Sequence, residues 1–106
     1  MAQGQLDAYN KRNLETFLKY YSPNVEIFDF PNAQARVTGI SEIRKIYEKL
    51  FAENPELHCE LVNRMALGSV VIDHESVTGL VGRPPIKAIA IYEIKDNLIQ
   101  TVRFIK

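Results

Sequence analysis

From residue 57 to residue 105 the chain reads as one strand after another, and this constrains the fold more than any other feature. The run "LHCELVNRMAL" (57–67) alternates and turns at Gly68-Ser69. "VVIDHESVTGL" (70–80) follows and is broken by "GRPP". "IKAIAIYEI" (86–94) then turns at Asp96-Asn97 into "LIQTVRFI" (98–105). Period-two runs divided by Gly, Asp, Asn and Pro are strand and turn signals, and three such hairpins in succession make an antiparallel meander.

The first half is mostly helical. Leu6 and Tyr9 sit three apart in a polar start, which predicts a short first helix. In "NLETFLKYYSP" Asn13 can cap, Leu14, Phe17, Leu18 and Tyr21 form a stripe at helical spacing, and Pro23 ends it. Residues 25–30 read as a strand, and residues 35–37 as a short extended piece in a polar loop. "TGISEIRKIYEKLFAENP" is the clearest helix, with Ile43, Ile46, Tyr47, Leu50 and Phe51 on one stripe and Pro55 beyond its end. Helices and strands are segregated along the chain. The expected class is therefore α+β, a single domain over 1–106 with helices on one face of an antiparallel sheet.

Charge and composition exclude several partners. Thirteen basic side chains balance thirteen acidic ones among 106 residues, which argues against a nucleic-acid footprint or a charged membrane surface. No apolar run approaches the ~18 residues of a membrane span, and the start "MAQGQLDAYNKR" has no apolar signal core. The default location is cytoplasmic. The single cysteine, Cys59, forms no internal disulfide. Neither metal-ligand spacings nor phosphate-binding glycine motifs occur, so no cofactor is expected.

The strand faces point to a pocket and to a second interface. Small Ala88 and Ala90 share a face with Tyr92 and leave room beneath a helix layer. Leu98, Val102 and Phe104 share a face on the last strand. Asn63 lies on one face with Cys59 and Leu61, and His74 with Val70 and Ile72. In "VEIFDFP" the carboxylate of Asp29 falls on the face of Val25 and Ile27. Apolar walls with a few polar groups are the composition of a small-molecule site. The expected site is thus Asp29 and His74 as acid–base groups, with Asn63, Tyr9, Phe17, Ala90, Tyr92, Val102 and Phe104 around the ligand. Asp29 has a plainer reading as a strand-end residue bonded to backbone before Pro31, His74 as a satisfied core histidine, and Asn63 as a structural amide. A bulge in any strand shifts these parities by one residue. The opposite faces carry Ile89, Ile91, Ile99, Thr101 and Ile105, which predicts a homodimer through the outer sheet face.

The segments "QLDAYNKRNLETFLKYYSPNVEIFDFP", "GISEIRKIYEKLF" and "IKAIAIYEIKDNLIQTVRFIK" together resemble the nuclear-transport-factor-2-like superfamily, in its SnoaL-like and ketosteroid-isomerase-like branch. The resemblance implies a curved antiparallel sheet of four to five strands wrapped by three helices into a cone with an internal pocket for an apolar molecule. It also implies homodimers through the outer sheet. Isomerase-like members place a general base near the end of the first strand, which is Asp29 here. Their two oxyanion donors fall at Ala90 and at Gln5 or Leu6, with Tyr9 about a turn away, so that acidic pair is missing.

Two functions of different class follow. One is proton-transfer catalysis (isomerase, cyclase or lyase) on a small apolar carbonyl compound, with Asp29 as base and His74 as its partner. The other is a non-catalytic dimeric binding or accessory module. A third reading, a domain whose pocket is filled by its own Phe and Tyr side chains, leaves only dimerisation.

Overall fold

The computed structural model describes residues 2–106. Helix α1 (Ala2–Asn10) and the single turn α2 (Leu14–Leu18) precede strand β1 (Tyr21–Asp29). The two-residue strand β2 (Val37–Thr38) and helix α3 (Ile40–Glu53) follow. Four long strands complete the chain: β3 (His58–Leu67), β4 (Val70–Thr78), β5 (Ile86–Lys95) and β6 (Leu98–Ile105). They form one curved six-stranded sheet in the order β2-β1-β6-β5-β4-β3, with the helices on one face. The α+β class and the meander are as the alternation predicts. The β1–β6 pairing is parallel, and it alone departs from an antiparallel sheet.

The second helix is shorter than its stripe predicts. Asn13 caps it, accepting from the Thr16 N–H at 3.2 Å. It ends at Leu18, and Tyr21 is already the first residue of β1, paired with Ile99. Sheet pairing claims this backbone because Pro23 cannot supply the N–H a continuing helix needs. Within β1, Pro23 lies in the register gap between Tyr21 and Glu26, where no ladder donor is required. A bidentate ion pair from Arg44 to Glu15 ties α3 to α2. Under the helices, Phe17, Val25, Ile43, Leu57, Ile99 and Val102 are buried almost completely.

Two bulges decide which side chains face the helices. In β3, Leu61 pairs with Glu75 and Asn63 with His74, so Val62 is the extra residue. Cys59 and Arg64 therefore both face inward, and Asn63 and Met65 swing outward. In β6, Ile99 pairs with Ile94 and Thr101 with Glu93, so Gln100 is extra. Ile99 thus belongs to the core and not to the outer face where its parity put it. The β5–β6 turn has both Asp96 and Asn97 at positive φ, the geometry of a two-residue hairpin.

The loop from β4 to β5 depends on one glycine. Gly79 has φ +80°, and a Cβ there would lie 1.9 Å from the Glu56 carbonyl oxygen. Gly79→Ala is expected to cost roughly 2–4 kcal/mol, from the left-handed backbone and the overlap together. Urea unfolding would measure it, and a loss under about 1 kcal/mol would contradict the close approach.

Candidate active site

Ala88, Ala90 and Tyr92 face the helices as their spacing predicts. The register then sets Asp73 opposite Ala90 and Glu75 opposite Ala88. Directly paired residues share a face. The room left by the two alanines is thus taken by two carboxylates of β4. His74, between them, is exposed on the other side of the sheet. The inward placement expected of His74 and Asn63 is therefore overturned. Counting Val70 and Ile72 as core puts His74 inward, whereas the pairing with buried Ala88 and Ala90 turns Asp73 and Glu75 inward instead.

The space above these carboxylates is a cavity of about 240 Å³. Tyr9, Phe17, Tyr92 and Phe104 line it, together with Gln5, Tyr21, Tyr47, Cys59 and Glu75. Ala90 and Val102 face the same way but lie in the packed core beneath it. Asp29 is half-exposed at the end of β1 and pairs with Arg36 at 2.7 Å. It borders a separate shallow depression and touches the cavity only through Arg36, which stands at its rim.

A hydrogen-bonded chain runs along the floor. The Tyr21 hydroxyl donates to Gln5 Oε1 at 3.1 Å, and Gln5 Nε2 donates to the Tyr92 hydroxyl at 3.1 Å. Tyr92 in turn reaches Glu75 Oε2 at a long 3.5 Å. Gln5 also donates to the Ala2 carbonyl, so this buried amide uses both its donor and its acceptor. Gln5 stands on the first helix where the resemblance puts an oxyanion donor, and the hydroxyls come from Tyr21 and Tyr92 instead. Burial raises both tyrosines well above their ordinary range, and the Glu75 charge adds to it. Both remain neutral donors at any physiological pH.

Glu75 is the group whose chemistry stands out. Burial, and then the Asp73 charge, push its carboxyl up to about 7. Hydrogen bonds from Tyr92 and Cys59 and the Arg64 charge pull the other way without cancelling them. Arg64 holds the fully buried Asp73 in a bidentate pair at 2.6 and 2.9 Å, and bonds Gln3 at 3.0 Å. Glu75 can therefore give or take a proton near neutral pH, the property general acid–base catalysis needs. Its signal in the sequence was the pairing itself: once Ala88 faces inward, whatever lies opposite it does too.

Cys59 sits beside Glu75, fixed by a reciprocal pair in which its N–H donates to Asn10 Oδ1 at 2.7 Å and Asn10 Nδ2 donates to its carbonyl at 2.9 Å. Burial pushes its thiol up to about 12. Native protein at pH 8 is expected to leave Cys59 unreacted with a thiol-reactive disulfide, and to release one equivalent only on unfolding. Rapid labelling of the folded chain would contradict that environment. Among the described residues no group of three or more His, Cys, Asp or Glu is placed to hold a metal ion. Among the same residues no helix is long and apolar enough to cross a membrane.

Comparison with known proteins agrees with this architecture. An uncharacterised cystatin-fold protein from Novosphingobium aromaticivorans superposes with a TM-score of 0.88 at 23% identity, over 99% of this chain and 94% of that one. A provisionally named ketosteroid isomerase from Kribbella flavida gives 0.82 at 18% identity, over 98% and 73%. A provisionally named polyketide cyclase from Sinorhizobium meliloti gives 0.81 at 16% identity, over 97% and 91%. No curated protein matches the chain in sequence. The family model of the SnoaL-like domain matches residues 2–102, nearly the whole chain. On that match the chain belongs to the SnoaL-like domain family.

Proposed function

We propose that this chain binds a small carbonyl compound and moves a proton on it, with Glu75 as the acid–base group. The observation that carries the reading is a buried carboxyl raised to about 7 in the wall of an aromatic cavity. As a carboxylate, Glu75 takes a proton from the carbon next to the carbonyl. The C–H electron pair becomes the enolate double bond and the charge moves to oxygen. Tyr92, whose hydroxyl lies 3.5 Å from Glu75, is the donor assigned to that oxygen. The proton then returns from Glu75 to the same or a conjugated carbon, and the protein is unchanged. The names of two structural neighbours, polyketide cyclase and ketosteroid isomerase, belong to carbonyl chemistry of this kind. At about 240 Å³ the cavity is below the ~300–1,000 Å³ of drug-sized sites, which favours one or two rings over a steroid.

The test is hydrogen–deuterium exchange of small cyclic enones and aryl methyl ketones in D₂O, followed by NMR. Native chain should accelerate exchange, and Glu75→Gln should lose about 10²-fold or more of the acceleration. Equal rates in the two would remove Glu75 from the chemistry. A ketone that binds but exchanges no faster than in buffer would leave the binding-module reading in its place.

A second copy of the chain on the outer sheet face belongs to the same proposal. Ile72, Ile89, Ile91 and Ile105 lie side by side there by register, with exposed Met65 next to them. Adjacent apolar strands of this kind favour a self-complementary partner over water. Sedimentation equilibrium should give a dimer that Ile89→Glu dissociates; a monomeric native chain at about 100 µM, far above the ~1 µM scale of a stable dimer, would refute it.

A further inference from the structure

The mouth of the cavity has a charge pattern that the proton-transfer reading leaves unused. Three cations border it from three separate segments: Arg36 before β2, Arg83 in the β4–β5 loop, and Lys106 after β6. Glu75 is the only carboxylate side chain among the described residues that line it. Asp29 already neutralises Arg36 at 2.7 Å. Among the described residues neither Arg83 nor Lys106 pairs with a carboxylate side chain. Arg83 is positioned by its loop: it stands between Gly82, at φ +74°, and Pro84, and its N–H donates to the Leu80 carbonyl at 3.1 Å. The Lys106 ammonium lies 5.3 Å over the ring of Phe104, a wall residue. The Lys106 charge thus lies against an apolar wall residue, and Arg83 borders the same cavity from its loop.

We infer that the ligand of this cavity is a small ring carboxylate, its anionic group at the mouth between Arg83 and Lys106 and its carbonyl end toward Glu75. The inference rests on the reading of the cavity as a ligand site. A carboxylate pointing inward would meet the Glu75 and Asp73 charges, whereas one placed between Arg83 and Lys106 meets two cations that pair with no carboxylate side chain among the described residues. The same asymmetry sets which end of the molecule enters first. Charges at a partly solvated rim contribute orientation and encounter more than raw affinity, so the expected effect is modest and salt-dependent.

The experiment compares 4-acetylbenzoate with its neutral isostere 4-acetylbenzamide, which carry the same enolisable ketone. NMR titration gives both dissociation constants, in native chain and in the Arg83→Gln/Lys106→Gln variant, at low and high salt. The carboxylate should bind about five- to tenfold tighter than the amide, from two rim ion pairs. In the double variant, and at high salt, that ratio should approach one. A ratio near one in native chain, or one that survives the double variant, overturns the inference while leaving the proton-transfer reading standing if the amide's acetyl protons still exchange through Glu75. Binding of neither probe overturns both.

Discussion

Glu75→Gln is expected to be more stable than native chain at pH 8, by about 3 kcal/mol, and nearly equal to it at about pH 4. A carboxyl raised from 4.5 to about 7 costs about 3 kcal/mol to ionise in the folded state, because the unfolded chain ionises it at the lower pH. The native state binds the extra proton between these values. The stability that the neutral carboxyl permits is therefore complete below about pH 4.5 and is lost as pH rises through about 7. Glutamine keeps the shape and cannot ionise, so the variant keeps its stability where native chain loses it. Denaturant midpoints at several pH values would show native chain falling and the variant flat. Other titrating groups cancel in the difference, and parallel curves would mean that Glu75 ionises as freely in the fold as outside it. If Glu75 is the base of the reaction, ketone exchange should rise with pH through the same midpoint and then level.

Arg64→Met should be the most damaging change to a charged side chain. Asp73 is fully buried and held by both guanidinium bonds, while the Arg64 side chain is 25% exposed. Removing Arg64 leaves a carboxylate in the core without its partner, at a cost of about 3 kcal/mol, the low end for a broken buried pair. The reverse change, Asp73→Asn, should cost less, because the freed guanidinium can turn to water. The pair also acts on the site. Arg64 lowers the Glu75 carboxyl and Asp73 raises it. The midpoint of Glu75, read by NMR, should move up in Arg64→Met and down in Asp73→Asn. Equal destabilisation by the two changes, or an unmoved midpoint, would show that the pair does not bear on Glu75.

The meander, the α3 stripe and the α+β class were legible because they rest on local periodicity. The strand β5 could even be oriented from Ala88, Ala90 and Tyr92 alone. The acid–base residue was not legible by the same route. A strand face is counted as inward when it is apolar, and on β4 the inward face carries Asp73 and Glu75. They are tolerated there because Arg64, Tyr92 and the small alanines opposite satisfy or accommodate them. Asn63 and Ile99 depart from simple alternation for a different reason. One extra residue in β3 and one in β6 put the residues before and after it out of step, and a bulge has no marker in a single sequence. The spacing of Tyr21 fits a helix, yet the parallel pairing of β1 with β6 claims its backbone.

The sequence by itself therefore determined which segments pair with near neighbours: hairpins and helices depend on residues a few positions apart. The tertiary structure decided which polar groups are buried together. Gln5, Tyr21, Glu75 and Tyr92 come from four distant segments. They meet only after β1 is laid beside β6 and β4 is registered on β5. The elevated pKa of Glu75 is a property of that meeting, since desolvation belongs to the assembled fold and not to any stretch of chain.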